Sequence, residues 1–543
     1  IIQWDKEDLE TMRLLKVDVL ALGMLTALKK TLRIIQTYQP GIQQLADIPK
    51  DEKQQDVQDT YKMLRMADSI GVFQVESRAQ MSMLPRLKPE TFYDLVIQIA
   101  IVRPGPIQGG MVHPYLQRRN KKEKVTYEHD DLKPVLQSTL GIPIFQEQAI
   151  RLAMVAAGFS GGRADELRRS MASWGKNSDL EKFEEEFITG MLTRNYSLDF
   201  AVRLFEQIKG FGGYGFPESH SASFALLCYA SSWCKRHHSA AFYCALLNSQ
   251  PMGFYSPSQL IQDAKRHGIM VLPVDINRSG YDNQLEKIAA NNLSTEYFPN
   301  PQPLFAIRLG FCQISSLDIN AAQNIERWRG SKPFTSLENL SRRTPLTATD
   351  LGHLAAADAF AQLTGDRHES RWQAAAIKPY IPLLENSEDQ QDLLSMPAPS
   401  VEKDMQDDYT SLGLSLRTHP MALLRNQPPF NRCKTQRELA SVGHGRFVRV
   451  AGLVTGRQRP GTAKGSMFVT LEDETGNINV IVWQQTQVHF REPLLNAQLL
   501  MIKGVLEINA TDSETPVIHL VAGHLQDYTH CLKNLSVNSR DFH

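Results

Sequence analysis

Apolar and polar residues alternate over residues 13–19, which predicts a β-strand with Lys16 and Asp18 on one face and apolar side chains on the other. Gly23 then permits a turn into an amphipathic helix near residues 25–36. Residues 60–250 are mostly helical in pattern, with glycine and proline marking the breaks. The first half of the chain is therefore predicted to be a largely helical region that follows the edge of a sheet.

The pattern changes in the second half of the chain. Residues 304–365 predict short helices, and residues 366–440, rich in glutamine, proline and acids, predict a linker with some helix. Residues 446–528 contain five β-rich runs, with a turn at 474–477 between two of them. Five short strands in about 80 residues are typical of a small OB-type barrel. The runs are RFVRVAGLV, MFVTLED, NINVIVW, LLMIKGVLEI and PVIHLVAGHL.

Composition narrows the class of protein. A length of 543 residues predicts roughly three to four domains, and 42% hydrophobic with 22% charged residues is typical of a folded soluble chain. Six cysteines without a CxxC pair indicate a reducing compartment, so we expect a cytoplasmic protein. No apolar run approaches the roughly 18 residues of a membrane span, so we expect no membrane contact. Equal numbers of basic and acidic residues (59 each) leave nucleic-acid binding to local patches. Because the chain starts at Ile1 and not at methionine, we expect a fragment cut inside a domain.

Asp18 is an acidic residue in an apolar strand. One interpretation is a metal ligand, because nucleotidyl transfer uses two divalent ions held by carboxylates, with Lys16 on the same face to meet a triphosphate. The other is a strand-end carboxylate paired with Lys16 or Arg13, and the spacing alone favours that structural alternative.

Two stretches carry candidate phosphate-binding cations. Arg103 precedes a proline in the rigid turn RPGP, where its guanidinium would suit a phosphate. Downstream, a basic run that includes Arg118, Arg119, Lys121 and Lys122 would favour a DNA backbone through counterion release. A solvated loop explains the run equally well.

The glycine-rich loop 210–221 ends in the pair Ser219-His220. Backbone amides at the start of the following helix, with these two side chains, would suit an anion such as a triphosphate. An ordinary capping loop, with Ser219 or Ser221 as the cap, is the interpretation that the spacing favours.

Two further segments carry weaker signals. The text IRLGFCQISSLD at 307–318 predicts a helix–loop–helix whose turn would offer backbone amides to a DNA phosphate, although the glycines usual in such hairpins are replaced by 313–316. The predicted linker contains a short peptide that would suit a partner's hydrophobic pocket, but an ordinary linker is favoured. The peptide residues are Gln390, Asp392, Leu393 and Leu394.

Taken in order, the motifs resemble the bacterial C-family DNA polymerases, the family of the polymerase III alpha subunit. The text TSLGLSLRTHPM at 410–421, ahead of the predicted barrel, also resembles the family. Pro217-Glu218 before the Ser-His pair and the opening IIQWDKEDLE resemble its error-prone branch. The other motifs are LLKVDVLALGM, GVFQVES, IVRPGPIQGGMVHPYLQRR, GIPIFQEQ, GFSGGRADELRRSM and GYGFPESHSASFALL.

The resemblance implies a multi-domain α+β fold with a remnant of a polymerase palm, large helical fingers, a tandem helix–hairpin–helix region and a C-terminal OB barrel. In the replicative branch a clamp-binding peptide lies where Gln390 to Leu394 stand. The implied boundaries are palm edge 1–23, fingers 24–285, tandem helix–hairpin–helix 286–365, linker 366–440, OB domain 441–530 and tail 531–543.

The resemblance also implies roles for single residues. Asp18 matches the third palm aspartate, which binds Mg²⁺, and Lys16 matches the lysine that meets the incoming triphosphate, while Arg103, Ser219 and His220 lie near the nucleotide. The implied function is error-prone, damage-tolerant DNA synthesis, with primer–template DNA, deoxynucleoside triphosphates and a sliding clamp or accessory protein as partners. Since the other two aspartates lie upstream in the family, we expect the 543 residues alone not to polymerise DNA. The alternatives are a non-catalytic DNA- or partner-binding scaffold and the replicative alpha subunit.

Overall fold

A helical region, a small sheet with further helices and a β-barrel follow one another along the chain, and the predicted multi-domain α+β fold is confirmed. The predicted strand at 13–19 and the peptide at 390–394 lie outside the residues that the structure describes. The computed structural model describes residue 8 and residues 11–12, 20–171, 179–210, 216–288, 305–377, 397–460, 465–509, 516–532 and 540–542.

The helical region is built on one apolar core. Its helices are α1 (Leu22–Gln36), α2 (Gln55–Arg65), α3 (Arg78–Leu87), α4 (Phe92–Ile101), α5 (Pro104–Gln108), α6 (Val112–Arg119), α7 (Lys133–Leu136), α8 (Gln146–Val155), α9 (Gly161–Met171), α10 (Asp179–Leu192), α11 (Leu198–Lys209), α12 (Glu218–His237), α13 (Ser239–Leu247) and α14 (Pro257–Arg266).

Helix α4 lies at the centre of this core because its sequence, FYDLVIQIAI, is almost entirely apolar, and eight of its ten residues are buried. A capping box between Thr91 and Asp94 fixes its start. Helix α12 packs along α4, and the buried hydroxyl of Ser221 donates a hydrogen bond to the carbonyl of Val96 at 2.5 Å. The segments that carry the RPGP turn and the Ser-His pair are therefore held on one rigid core.

Two local predictions about helix starts are wrong. Gly23 forms no turn, because α1 already begins at Leu22, after Ala21 in the left-handed region (φ 62°). Neither Ser219 nor Ser221 caps α12, whose N-cap is Pro217. Packing decides this second case, since Ser221 faces α4 and bonds to its backbone instead.

A three-stranded sheet follows the helical region. Strands β1 (Val271–Leu272), β2 (Gln284–Lys287) and β3 (Phe305–Arg308) lie in the order β1–β3–β2, with β1 parallel and β2 antiparallel to β3. The helices after the sheet are α15 (Ile319–Arg329), α16 (Leu337–Arg343), α17 (Ala348–Ala356), α18 (Ala361–Thr364) and α19 (Arg367–Ala376).

The described part of the predicted linker is helical and packed. Helix α20 (Val401–Leu412) contacts α17, and it is followed by α21 (Pro420–Leu424) and α22 (Gln436–Leu439). The three aspartates of α20 are buried, which explains why an acid-rich sequence forms a packed helix here. Their partners are basic side chains of α19 and of the loop after α20.

The C-terminal strands close a barrel, as predicted, and each of the five β-rich runs forms one strand. Val448, Val450 and Val454 of the first strand point into the barrel core, as period-two alternation requires. The barrel strands are β4 (Phe447–Gln458), β5 (Met467–Glu472), β6 (Asn477–Val482), β7 (Leu499–Asn509) and β8 (Val517–Asp527). They pair in the circular order β4–β5–β6–β8–β7–β4, and β9 (Arg540–Phe542) lies beside β4. Helices α23 (Gln484–His489) and α24 (Arg491–Asn496) follow β6.

Among the described residues, no helix is long and apolar enough to cross a membrane.

Candidate nucleotide and DNA sites

Arg103 lies at the meeting point of three motifs. The extended backbone before Pro104 makes it the N-cap residue of α5, and its Nε donates to the carbonyl of Ile99 at 3.2 Å. Its Nη2 donates to Gln74 Oε1 at 2.7 Å, and its guanidinium carbon lies 4.7 Å from the ring centroid of Phe216. The guanidinium is thus oriented by the GVFQVES segment, by the last turn of α4 and by Phe216, two residues before α12.

Gln74 is a site residue that sequence reasoning did not assign, although GVFQVES was among the recognised motifs. Its backbone is in the left-handed region (φ 66°), which is uncommon for residues other than glycine and is often found at functional sites. Its side-chain amide oxygen accepts the Arg103 hydrogen bond. The strained backbone therefore holds the group that orients the arginine.

His220 belongs to the same cluster, with its ring centroid 5.2 Å from that of Phe216 and 4.2 Å from that of Phe224. Burial lowers the pKa of His220, and the Arg103 charge lowers it further. The imidazole is therefore neutral at pH 7 and contributes a hydrogen-bonding ring, not a positive charge.

The start of α12 is already occupied by acidic side chains. The backbone N–H of Glu218 donates to Glu147 Oε2 at 2.9 Å, and the Glu218 carboxylate accepts the Tyr93 hydroxyl at 2.6 Å. Burial, followed by the bond to Glu218, raises the pKa of Tyr93. Ser219 is exposed at this helix start. These contacts place acidic side chains at the start of α12, where the sequence predicts an anion site.

The two arginines and the two lysines of the basic run have different surroundings in the structure. Arg119 Nη2 pairs with Asp94 Oδ2 of α4 at 2.8 Å, and Arg118 Nη1 donates to the carbonyl of Leu140 at 2.8 Å, so both guanidiniums make contacts within the protein. Lys121 and Lys122 are exposed in the loop after α6. DNA binding by these four residues stays a prediction.

Backbone N–H groups of the turn 313–316, which the sequence predicts as a phosphate site, donate hydrogen bonds to carbonyls of the protein itself. The backbone N–H of Ser315 bonds to the carbonyl of Ser411 at 2.7 Å, and that of Ile314 bonds to Phe311 at 3.0 Å. Lys16, Asp18 and the peptide from Gln390 to Leu394 lie outside the described residues, so their predicted roles also stay predictions.

The barrel exposes an aromatic face that sequence reasoning missed. Phe447 of β4 is 68% exposed, and its cross-strand partner Val505 of β7 is 41% exposed. Next to this pair, Arg449 lies opposite Lys503. The signal in the sequence was the alternation in RFVRV, which places Phe447 and Arg449 on the outer face of the strand.

One group of acidic and histidine side chains in the described residues has the spacing of a metal site, namely Asp68, Asp263 and His267. The ammonium of buried Lys235 lies 2.7 Å from Asp68 Oδ1 and 3.1 Å from Asp263 Oδ2. A lysine ammonium between the two carboxylates takes the place that a cation would need. The group is therefore an ion-pair cluster, and it does not fit Mg²⁺.

His267 makes this cluster sensitive to pH. Burial by itself lowers the pKa of His267, but Asp68, whose Oδ2 lies 2.6 Å from Nε2, outweighs burial and the net pKa is raised. Nδ1 lies 2.7 Å from the carbonyl of Asp263, so both ring nitrogens face acceptors, as an imidazolium requires. The contribution to stability is complete below the unfolded pKa of about 6.5 and is lost as pH rises through the higher folded pKa.

We expect the urea concentration at the unfolding midpoint to decrease when the pH is raised from 6.5 to 8.5. The decrease should be smaller in a His267→Gln variant, which has no imidazolium charge to lose. Equilibrium unfolding at both pH values measures the difference. His237 and His238, whose pKa values are lowered (that of His238 to about 4), are present in both proteins, so their contribution cancels in the comparison. Equal pH slopes in the two proteins would contradict the assignment.

The three parts of the fold match three domain families. Residues 24–195 match the bacterial DNA polymerase III alpha subunit finger domain, residues 268–370 a helix-hairpin-helix motif, and residues 448–527 an OB-fold nucleic acid binding domain. The first contains Arg103 and Gln74, and the last contains Arg449, Lys503 and Val505 of the exposed barrel face. These matches confirm the resemblance to the bacterial C-family DNA polymerases.

Similarity over the whole chain confirms the predicted resemblance to the error-prone branch. The chain is 63% identical over 546 residues to an error-prone DNA polymerase of Teredinibacter turnerae and 63% identical over 543 residues to that of Saccharophagus degradans. It is 52% identical over 545 residues to that of Pseudomonas aeruginosa. Each alignment covers 100% of this chain and 51% of the relative, so the chain spans about half the length of the curated relatives it matches.

Proposed function

We propose that this chain is the fingers, helix–hairpin–helix and OB portion of an error-prone DNA polymerase that works in the cytoplasm during DNA damage tolerance. The observation that carries the proposal is the similarity over the entire chain to proteins named error-prone DNA polymerase. The reaction is attack of a primer 3′-hydroxyl on the α-phosphate of a deoxynucleoside triphosphate, with release of pyrophosphate. The proposed boundaries remain 1–23, 24–285, 286–365, 366–440, 441–530 and a tail, 531–543.

The fingers would hold the triphosphate through Arg103. Its guanidinium is held in one orientation by Gln74 and by a backbone carbonyl, and an oriented guanidinium suits the geometry of phosphate oxygens. Neutral His220 and the aromatic Phe216 border the same space and would contact the nucleotide without adding charge.

The metal chemistry would lie outside the described residues. Two Mg²⁺ ions would stabilise both the attacking and the leaving oxygen. The described residues hold no set of carboxylates that fits them, since the one candidate group contains Lys235. Asp18 would belong to this metal site, with further carboxylates from the half of the relatives' length that this chain does not cover.

The barrel would hold the single-stranded template on the Phe447 face. An exposed aromatic ring offers a stacking surface for any base, and Arg449 and Lys503 lie beside it to meet phosphates. The helix–hairpin–helix region, residues 268–370, would hold the duplex by its backbone. A sliding clamp or an accessory protein would be a further partner.

The proposal is tested with Asp18→Asn in the longer protein that includes the upstream half. We expect primer extension to fall at least about 100-fold, because a metal ligand is lost, while primer–template binding is unchanged. Asp5→Asn is the matched control and should extend at the wild-type rate. Extension by Asp18→Asn at a near wild-type rate would refute the assignment, and DNA binding without any extension by the wild-type protein would favour the scaffold alternative.

A further inference from the structure

Residues 401–421, here called the junction segment, contact all three folded parts of the chain. Lys265 of α14 donates to the carbonyl of Leu416 at 2.9 Å, and Ser315 of the helix–hairpin–helix region donates to the carbonyl of Ser411 at 2.7 Å. His419 Nε2 lies 3.4 Å from Glu472 Oε1 of the barrel, and both side chains are buried. The TSLGLSLRTHPM motif therefore forms a structural joint.

The joint is built around a buried arginine. Arg367 of α19 is 1% exposed, and its Nη1 donates to both the carbonyl (2.7 Å) and Oδ1 (3.0 Å) of Asp404 on α20. Its Nη2 pairs with Asp408, whose other oxygen accepts the Ser415 hydroxyl at 2.8 Å. Buried charges that are paired in this way permit one packing geometry of α20 on α19 and not a sliding contact.

Arg417 extends this network from the junction segment to a second point on the helix–hairpin–helix region. Its Nη2 lies 2.6 Å from Asp358 Oδ2, and its Nη1 lies 2.9 Å from Asp404 Oδ2. Asp358 follows α17 at a point where the backbone is in the left-handed region (φ 60°), and its carboxylate accepts the hydrogen bond from Arg417. Arg417 therefore joins α20 to the end of α17.

The other side of the junction segment covers part of the barrel. Met405 and Met421 pack against Leu453, Leu499 and Met501, which lie on the outer face of β4 and β7. The same outer face continues along these two strands to Phe447 and Val505, which are exposed. One segment thus holds the helix–hairpin–helix region and borders the exposed face of the barrel.

We propose that Arg417 is a positioning residue that fixes the helix–hairpin–helix region relative to the barrel, so that duplex and single strand are bound as one continuous primer–template. This inference rests on the proposed function, in which the first region holds duplex and the barrel holds single strand. Two sites at a fixed separation bind a DNA that spans both more tightly than either site alone, because the second contact forms at a high effective concentration. Loosening the joint lowers that gain and leaves each separate site intact.

The test compares binding of three DNAs to the chain by fluorescence anisotropy, namely a blunt duplex, a single-stranded oligonucleotide and a duplex with a 5′ overhang. In Arg417→Met, affinity for the overhang DNA should fall about tenfold or more, while affinity for the other two stays within about twofold. Asp358→Asn, which keeps the shape of the partner, should give the same pattern, and Arg417→Lys should partly restore binding.

Two further variants provide a control for the charge change and a test of the barrel face. Lys403→Met removes an exposed lysine that pairs within α20 with Asp407 at 3.1 Å, and it should leave all three affinities unchanged. Phe447→Ala should lower the affinity for both the single-stranded oligonucleotide and the overhang DNA. Unchanged overhang binding in Arg417→Met, or an equal loss for all three DNAs, would overturn the positioning role. Failure of the wild-type chain to bind any of the DNAs would instead refute the proposed function.

Discussion

Replacing Lys235 with methionine is expected to lower the free energy of unfolding by about 3–5 kcal/mol, the range found when one partner of a buried ion pair is removed. The Lys235 side chain is fully buried on α12, and its ammonium bonds to Asp68, to Asp263 and to the carbonyl of Ile70 at 3.0 Å. Burial alone would lower the pKa of Lys235, but the two carboxylates outweigh burial and raise it, so the side chain is charged. Methionine fills a similar volume, but the carboxylates of Asp68 and Asp263 then lose their ammonium partner.

Urea unfolding followed by circular dichroism measures this loss. Lys62→Met, at an exposed lysine of α2, is the matched control and should change stability by less than about 0.5 kcal/mol. Adding Asp263→Asn to the Lys235 variant should recover part of the loss, since one of the unpaired charges is then removed. A loss below about 1 kcal/mol in the single variant would show that the cluster does not hold α12 in place.

The proposed function predicts a second large effect, on nucleotide incorporation, from Arg103→Met in a protein that also contains the part of the relatives not covered by this chain. The proposed function places the Arg103 guanidinium beside the triphosphate. Because a hydrogen bond to a charged group contributes about 1.5–3 kcal/mol, its loss should lower kcat/KM for the nucleotide by about 10- to 100-fold. Primer–template affinity should be unchanged, because the guanidinium lies in the fingers cluster and not on the barrel. Single-nucleotide incorporation across a range of nucleotide concentrations measures both quantities.

Gln74→Leu should have the same effect at a smaller size, because it leaves the guanidinium in place but removes the acceptor that orients it. Arg203→Met is the control, since that arginine lies on the outer surface of α11 and pairs with Glu128 at 3.3 Å. Incorporation by Arg103→Met with wild-type kcat/KM would exclude this arginine from the nucleotide site.

The sequence by itself was sufficient for those parts of the fold that depend on local pattern. The five barrel strands follow from period-two alternation between turn residues, and each predicted run forms one strand. The long helices of the fingers follow from their apolar periodicity, and the order of short motifs was enough to identify the family. These features are local in sequence, so that composition and spacing over ten to twenty residues determine them.

Only the tertiary structure decided which side chains meet. Gln74 orients Arg103 from 29 residues away, and Lys235 meets Asp68 across 167 positions of sequence, since packing of α12 against the first helices brings them together. The acid-rich stretch before residue 413 is typical of a linker in sequence, yet it is a buried helix because Arg367 and Arg417 neutralise its aspartates. Such pairings depend on the packing of distant elements, and the free energy of a buried charge depends on a partner that its own sequence neighbourhood does not contain.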